Sequence, residues 1–306
     1  MQWLKKGLIN LDSCLGQGWR FSHAAVPSPI LLDDCIRVYV NFFDEKRIAR
    51  VGYVDLDINN PSKVIDFSKE PLLDLGAPGT FDQDGVLQCS VVKLSDSQYY
   101  MYYVGFEVEN KIRYRLLSGL AISNDGGKTF NRAKQTPILE RTDKELFFRG
   151  GPFVVRDKDK FRLWYVAGST WITLNDKEMP VYTLNYQESI DGIHWQDEGE
   201  IIIDPRNNDE YGFGRPYYFI SNGKHYLFYS TRSKDHGYII GYAKSNDGVN
   251  WQRDDANVGI HKSSSGFDSE MICYAAPIEV NGKVLMFYNG NDFGRDGFAY
   301  AELVSW

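Results

Sequence analysis

The sequence predicts an all-β fold, a five-bladed β-propeller built by residues 1–306 as one domain. Three observations lead there. A unit of about 62 residues recurs five times, with anchors Pro29, Ser90, Pro152, Pro216 and Pro277 spaced 61, 62, 64 and 61 residues apart. Each anchor sits near the start of a short apolar run, and an aromatic strand follows that carries Tyr39, Tyr103, Tyr165, Tyr229 or Tyr288. No amphipathic helical period interrupts the pattern. Four-stranded units repeated radially about a channel make a propeller.

The first strands of the five units are expected at residues 28–31, 90–92, 152–155, 216–219 and 277–280. In the third unit, the turn Asp157-Lys158-Asp159 leads into residues 161–167. A third strand covers 181–189, and Asp191-Gly192 makes the next turn. The insertion between residues 169 and 180 reads as a rim loop. The segments 123–130, 189–195 and 245–251 share a Ser-x-Asp-Gly turn closed by an aromatic. Asp and Ser side chains bond nearby amides and Gly takes the positive φ, so these are folding devices. The last unit offers only three strands, at 275–280, 284–289 and 297–304. A strand around residues 2–9 is expected to supply the fourth and close the ring, hiding two sheet edges.

A net charge of −7 without a basic stripe argues against nucleic acid and anionic membranes as partners. No apolar run approaches the roughly 20 residues of a membrane span, so the chain reads as soluble and cytoplasmic. Cys14, Cys35, Cys89 and Cys273 lack metal or close-pair spacing and read as free, buried thiols. Neither a metal site nor a cofactor is expected: phosphate-loop, nucleophile-elbow and zinc-helix motifs are missing. The 20 Tyr and 7 Trp suit pleated surfaces and also sugar stacking.

Segments leading into the inner strands should face one funnel. They supply His23, Asp84, Arg149, Arg215 and Glu270 in turn, and charges converging on a concave site are costly unless used or paired. Asp84 and Glu270 are the expected acid and base for glycosidic chemistry, on non-adjacent blades. That placement suits the inverting separation of about 6.5–9.5 Å. His23 can replace either one. Arg149 and Arg215 either bind an anionic substituent or pair with funnel carboxylates. Tyr274, at the end of the fifth approach, joins the substrate-binding set. Asn289 and Asn291 can bond sugar hydroxyls or simply shape a hairpin. Trp171 can stack on a sugar ring or cover a blade edge.

The five aromatic units, the Ser-x-Asp-Gly-x-x-Trp turns and the polar approaches together resemble the five-bladed glycoside hydrolases. These are the arabinanase, levansucrase and invertase superfamily, including glycoside hydrolase families 32, 43, 117 and 130. The resemblance implies a glycosidase, or a related phosphorylase or transglycosidase, acting on an oligosaccharide or sugar conjugate. It also implies catalytic carboxylates on blades one to three. Here those positions read Ser28-Pro29 and Gly150-Gly151-Pro152, and the family-130 Glu-Asp-Pro-Arg signature is missing. The chain is therefore expected to be a divergent member with relocated carboxylates, on an anionic sugar in the funnel. The alternatives are a non-catalytic glycan-binding propeller and a sialidase-like enzyme, and the five-unit count speaks against the latter.

Overall fold

The structure, a computed structural model, describes residues 1–206 and 209–306. Among them the regular elements are twenty β-strands, one 3-10 turn at Asp255–Asn257 and a four-residue helical turn at Asn291–Gly294. Strand β1 is Gln2–Leu8. Unit one holds β2 (Ser22–Leu31), β3 (Cys35–Phe43), β4 (Ala49–Asp57) and β5 (Val64–Phe67). Unit two holds β6 (Val86–Lys93), β7 (Tyr99–Val108), β8 (Tyr114–Ser123) and β9 (Asn131–Arg132). Unit three holds β10 (Phe148–Asp157), β11 (Lys160–Leu174), β12 (Lys177–Ser189) and β13 (Glu200–Ile203). Unit four holds β14 (Glu210–Ser221), β15 (Lys224–Ser233), β16 (Ile239–Ser245) and β17 (Gln252–Arg253). Unit five holds β18 (Cys273–Val280), β19 (Lys283–Asn289) and β20 (Ala299–Ser305).

Each unit is an antiparallel meander, and β1 lies antiparallel on β20 as the fourth strand of unit five. Units two and three are joined into one eight-stranded sheet by a short parallel contact, Phe148 and Arg149 beside Leu116 and Leu117. The first strands pack in sequence: β2 on β6, β6 on β10, β10 on β14, β14 on β18, and β18 back on β2. Stacked sheets bury both faces of their middle strands. The second strands consequently read as continuous apolar runs, and the first seven residues of β7 are all buried. Between units three and four, the fully buried Trp164 stacks on Tyr218 at 4.5 Å. None of the helices among the described residues is long and apolar enough to cross a membrane. The four cysteines are buried and unpaired.

Two expectations are corrected. The rim loop between residues 169 and 180 is instead a β-hairpin arm, with Thr170 to Leu174 of β11 paired to Val181 to Lys177 of β12. Its β-branched and aromatic residues favour a ladder. Asn175 and Asp176 both take the positive φ (51° and 58°) that a tight two-residue hairpin turn requires. In addition, all five inner strands begin earlier than the anchors suggest, so His23, Arg149 and Arg215 lie inside β2, β10 and β14. The Ser-x-Asp-Gly turns behave as expected. Asp125, Asp191 and Asp247 each accept two backbone amides of their own turn and a bond from Ser123, Ser189 or Ser245. Side-chain bonds from Thr129, His194 and Asn250, together with these, hold all three carboxyls well below the usual range; for Asp191 burial is the largest effect and opposes them.

The recurring tyrosines have a shared task. Tyr103 donates to Asp82 at 2.9 Å, Tyr165 to Glu145 at 2.8 Å, Tyr229 to Asp255 at 2.7 Å and Tyr288 to Asp268 at 3.4 Å. Each carboxylate also meets a cation: Arg132 at 2.7 Å, Arg149 at 2.5 Å, Arg253 at 2.7 Å and Lys5 at 2.6 Å. A buried carboxylate is tolerated only when paired and hydrogen-bonded; the buried Asp82, Glu145 and Asp268 are both, as is the partly exposed Asp255. Unit one departs, because the Tyr39 hydroxyl is buried without a partner. Tyr165→Phe is expected to cost about 1–3 kcal/mol in urea unfolding by stripping Glu145 of a donor. Tyr39→Phe should cost much less, and equal losses in the two variants would contradict the shared role.

Candidate functional site

A β-bulge interrupts the inner strand of every unit. The register slips between Ala25 and Ser28, Gln88 and Ser90, Gly150 and Phe153, Gly214 and Tyr217, and Cys273 and Ala276. A bulge re-aims side chains and bends its strand. Here it turns Val26, Cys89, Gly151, Arg215 and Tyr274 into one central pocket of about 430 Å³. Val26 and Tyr274 are held at φ of 56° and 57°. That conformation is costly for any side chain, most of all a β-branched one. Gly151, at φ 62°, has the Arg215 backbone 3.4 Å from where a Cβ would stand.

Arg215 forms the floor. It is 3 % exposed, and its guanidinium donates to the carbonyls of Pro27 (2.9 Å), Tyr274 (3.1 Å) and Cys89 (3.4 Å). Three other units are thereby bonded to the fourth. Burial lowers its pKa, its Nε has no partner, and no carboxylate among the described residues pairs with it. Arg232, from β15, forms a wall. It is 8 % exposed and faces the rings of Tyr211, Tyr182 and Tyr238 at 4.7, 5.1 and 5.6 Å. Its polar contact is a 3.5 Å bond to the Pro180 carbonyl. Arg113 stands exposed at the mouth over Tyr114. No Asp or Glu is among the lining residues.

At the rim, Arg47 grips Asp292 with two bonds of 2.9 Å. The buried His23 ring stacks on Phe43 at 4.2 Å, and its Nδ1 lies 2.8 Å from the Ser22 hydroxyl. Its Nε2 has no hydrogen-bond partner and lies 3.8 Å from Asp292. His23, Asp292 and Phe293 all carry positive φ, at 63°, 49° and 60°. Strained backbone thus gathers on one side of the pocket.

Of the residues expected at the site, Arg215 and Tyr274 line the pocket and His23 adjoins it. Arg149 does not line it: its side chain is buried against Glu145 in the tyrosine network, which is the pairing alternative. Asp84 is not a lining residue: its carboxylate accepts the Val108 amide at 2.8 Å and ties the approach of β6 to the end of β7. Glu270 is exposed outside the lining, its backbone amide held by Asn291 at 2.8 Å. The structural acids of those approaches are their neighbours Asp82 and Asp268. Asn291 is buried, bonded to Gly266 and to two amides, so it shapes its loop. Asn289 is fully buried and spends its amide on Val26, Ala24 and Gly297, tying unit five to unit one. Trp171 packs on Phe148 at 5.0 Å and covers the unit edge. Sequence reasoning missed Arg232, Arg113, Arg47 and Asp292. Arg232 carried a signal: three residues after the recurring tyrosine the other units have Phe42, Phe106, Gly168 and Asn291, all uncharged.

Burial, reinforced by Arg47, pushes the His23 pKa down to about 4 from its usual 6.5. The unfolded imidazole takes up a proton in this window and the folded one does not. The stability contributed by neutral His23 is complete above about pH 6.5 and is lost as pH falls toward 4. The thermal midpoint should therefore drop more between pH 7 and pH 4.5 in the wild type than in His23→Gln. Equal drops would remove His23 from the account.

Comparison with known proteins places this geometry. Residues 172–299 match the glycoside hydrolase family 130 profile, described as beta-1,4-mannooligosaccharide phosphorylase. Uncharacterized protein Rv1502 of Mycobacterium tuberculosis (strain H37Rv) is 32 % identical over 305 residues, 99 % of each chain. A solved glycoside hydrolase superposes with a TM-score of 0.76 at 17 % identity, covering 99 % of this chain and 92 % of the other. A thermostable family-43 glycoside hydrolase superposes at 0.70 and 16 % identity, covering 94 % and 91 %. The family and structural neighbours are glycoside hydrolases or phosphorylases, and the shared architecture is theirs. The chain belongs to one family with the mycobacterial protein, part of it matches the family-130 profile, and it shares the fold of the solved glycoside hydrolases.

Proposed function

We propose that residues 1–306 form one domain, a five-bladed propeller closed by β1, which processes a carbohydrate bearing an anionic group in the central pocket. One observation carries the substrate class. Arg215 and Arg232 are buried without a carboxylate, in a pocket lined by no acidic residue. Buried cations left without a counter-charge are costly, and an anionic ligand supplies it. The planar guanidinium forks suit a carboxylate, phosphate or sulfate. The tyrosine rings around Arg232 offer faces on which a sugar can lie. Unpaired cysteines fit a reducing compartment, consistent with a cytoplasmic protein.

Glycosidase-type chemistry needs a carboxylate at the scissile bond. Asp292 is proposed for this role, in place of Asp84 and Glu270. The Arg47 guanidinium bonded to Asp292 keeps its carboxyl below the usual range and hence ionised, which suits a base rather than an acid. The neutral His23 beside it can accept or pass a proton. A second reading, a glycan-binding propeller without catalysis, is favoured by the lack of acids in the lining itself.

A panel of neutral and uronate-, phosphate- or sulfate-bearing oligosaccharides, assayed for released sugar with and without inorganic phosphate, tests both. The expected result is turnover confined to anionic members and lowered at least a hundredfold in Asp292→Asn. Arg113→Ala should raise KM about tenfold with little change in kcat. Binding without product throughout would establish the second reading, and preference for neutral sugars would refute the anionic substrate.

A further inference from the structure

A second concavity, about 870 Å³ and open to solvent, crosses the outer edge of unit four. One of its flanks is the edge strand β13 of unit three, through Glu200, Ile201 and Ile202; the other is Trp306, which follows β20 of unit five. Strand pairing builds its base. Phe219 lies opposite Tyr226, Tyr226 opposite Lys244, and Lys244 opposite Gln252, so one row of side chains crosses all four strands on a single face. The Trp306 indole lies flat over this row, 4.5 Å from the Tyr226 ring with 19° between planes. It is nearly parallel to Phe219 as well, at 6.4 Å and 17°. Tyr226 is buried at 8 %, whereas Trp306 is 43 % exposed. The platform is therefore fixed from beneath and open above.

Polar groups surround the indole. The exposed side chains of Lys224, Asn246 and Gln252 line the concavity without a hydrogen-bond partner among the described residues. Lys244 is already held by Asp254 at 2.9 Å. Two carboxamides offer donors and acceptors together, and Lys224 and Glu200 line the same groove with opposite charges. β17 is only two residues long, so the edge is not walled off by further strand. A flat apolar ring flanked by amides matches a ligand with one apolar face and a belt of hydroxyls, and an open groove suits an extended chain better than a single small molecule.

We propose that this groove is a second carbohydrate-binding site, taking an uncharged glycan chain that stacks on Trp306 and bonds to Asn246, Gln252 and Lys224. It is separate from the central pocket and needs no catalysis there. A chain seated on it is held on the molecule's flank, which raises the local concentration of polymer for any site on the same protein.

The test is affinity electrophoresis of the full chain in native gels containing arabinan, xylan or glucomannan. Wild type should be retarded in at least one gel. Trp306→Ala and Gln252→Ala should each weaken that retardation at least fivefold; substitution of the exposed Gln252 leaves the thermal midpoint unchanged, which separates lost binding from the lost stacking of Trp306 on Tyr226. Arg113→Ala, at the mouth of the central pocket, should be retarded as wild type. No retardation of wild type in any gel would overturn the proposal. So would undiminished retardation of Trp306→Ala, or loss of retardation in Arg113→Ala, which would place the binding in the central pocket.

Discussion

A buried tyrosine hydroxyl, a carboxylate and a cation form the contact on which this architecture rests. It recurs in four of the units, as Tyr103–Asp82–Arg132, Tyr165–Glu145–Arg149, Tyr229–Asp255–Arg253 and Tyr288–Asp268–Lys5. Its members come from different strands and loops. The tyrosine is on the second strand; the acid comes from the segment before the first strand or, in unit four, from beyond the fourth. An ion in a dry interior holds its place only while every partner is present, so each triad fixes how loop and sheet meet. In unit five the cation is Lys5 of β1, and the same chemistry ties the first strand of the chain to its last unit.

With the loops fixed in this way, the inner strands can carry bulges where they crowd together. The five bulge residues converge, and Arg215 spans the space between them by donating to carbonyls of three other units. The same side chain thus serves as a tie between units and as the floor of the pocket. Arg232 lies on the neighbouring strand, seventeen residues later, among aromatic rings contributed by units three and four. A cationic, aromatic and acid-free hollow results. The arrangement joins fold and function: the inner face is strained at Val26 and Tyr274, the rim at His23, Asp292 and Phe293, and the cohesion of the triads offsets both.

Much of the scaffold was legible in the primary structure because its signals are local and repeated. The 62-residue spacing, the recurring tyrosines, the Asp turns and the need for a fourth strand in unit five each concern neighbours along the chain, or one element copied five times. The candidate site was only partly legible. Asp82 and Asp84 look alike in sequence, yet one is buried against Tyr103 and Arg132 while the other bonds a nearby amide near the surface. Asp268 and Glu270 divide in the same manner. All four acids precede β6 and β18 in irregular segments where no strand alternation fixes their facing, so reading the approaches in register could not tell a scaffold acid from its neighbour two residues on.

What the sequence determined alone is the repeat, the all-β class and the kinship to carbohydrate-active propellers, since periodicity and turn chemistry survive without knowledge of distant contacts. Only the tertiary structure decided the pocket's chemistry. Its floor and rim join residues some 60 to 245 positions apart, as in Arg215 with Tyr274 and Pro27, or Arg47 with Asp292. Whether a charge in such a place is a scaffold ion or a free ligand-binding group depends on whether its partner is present in three dimensions. Arg149 has its carboxylate in Glu145, whereas none pairs with Arg215 or Arg232 among the described residues.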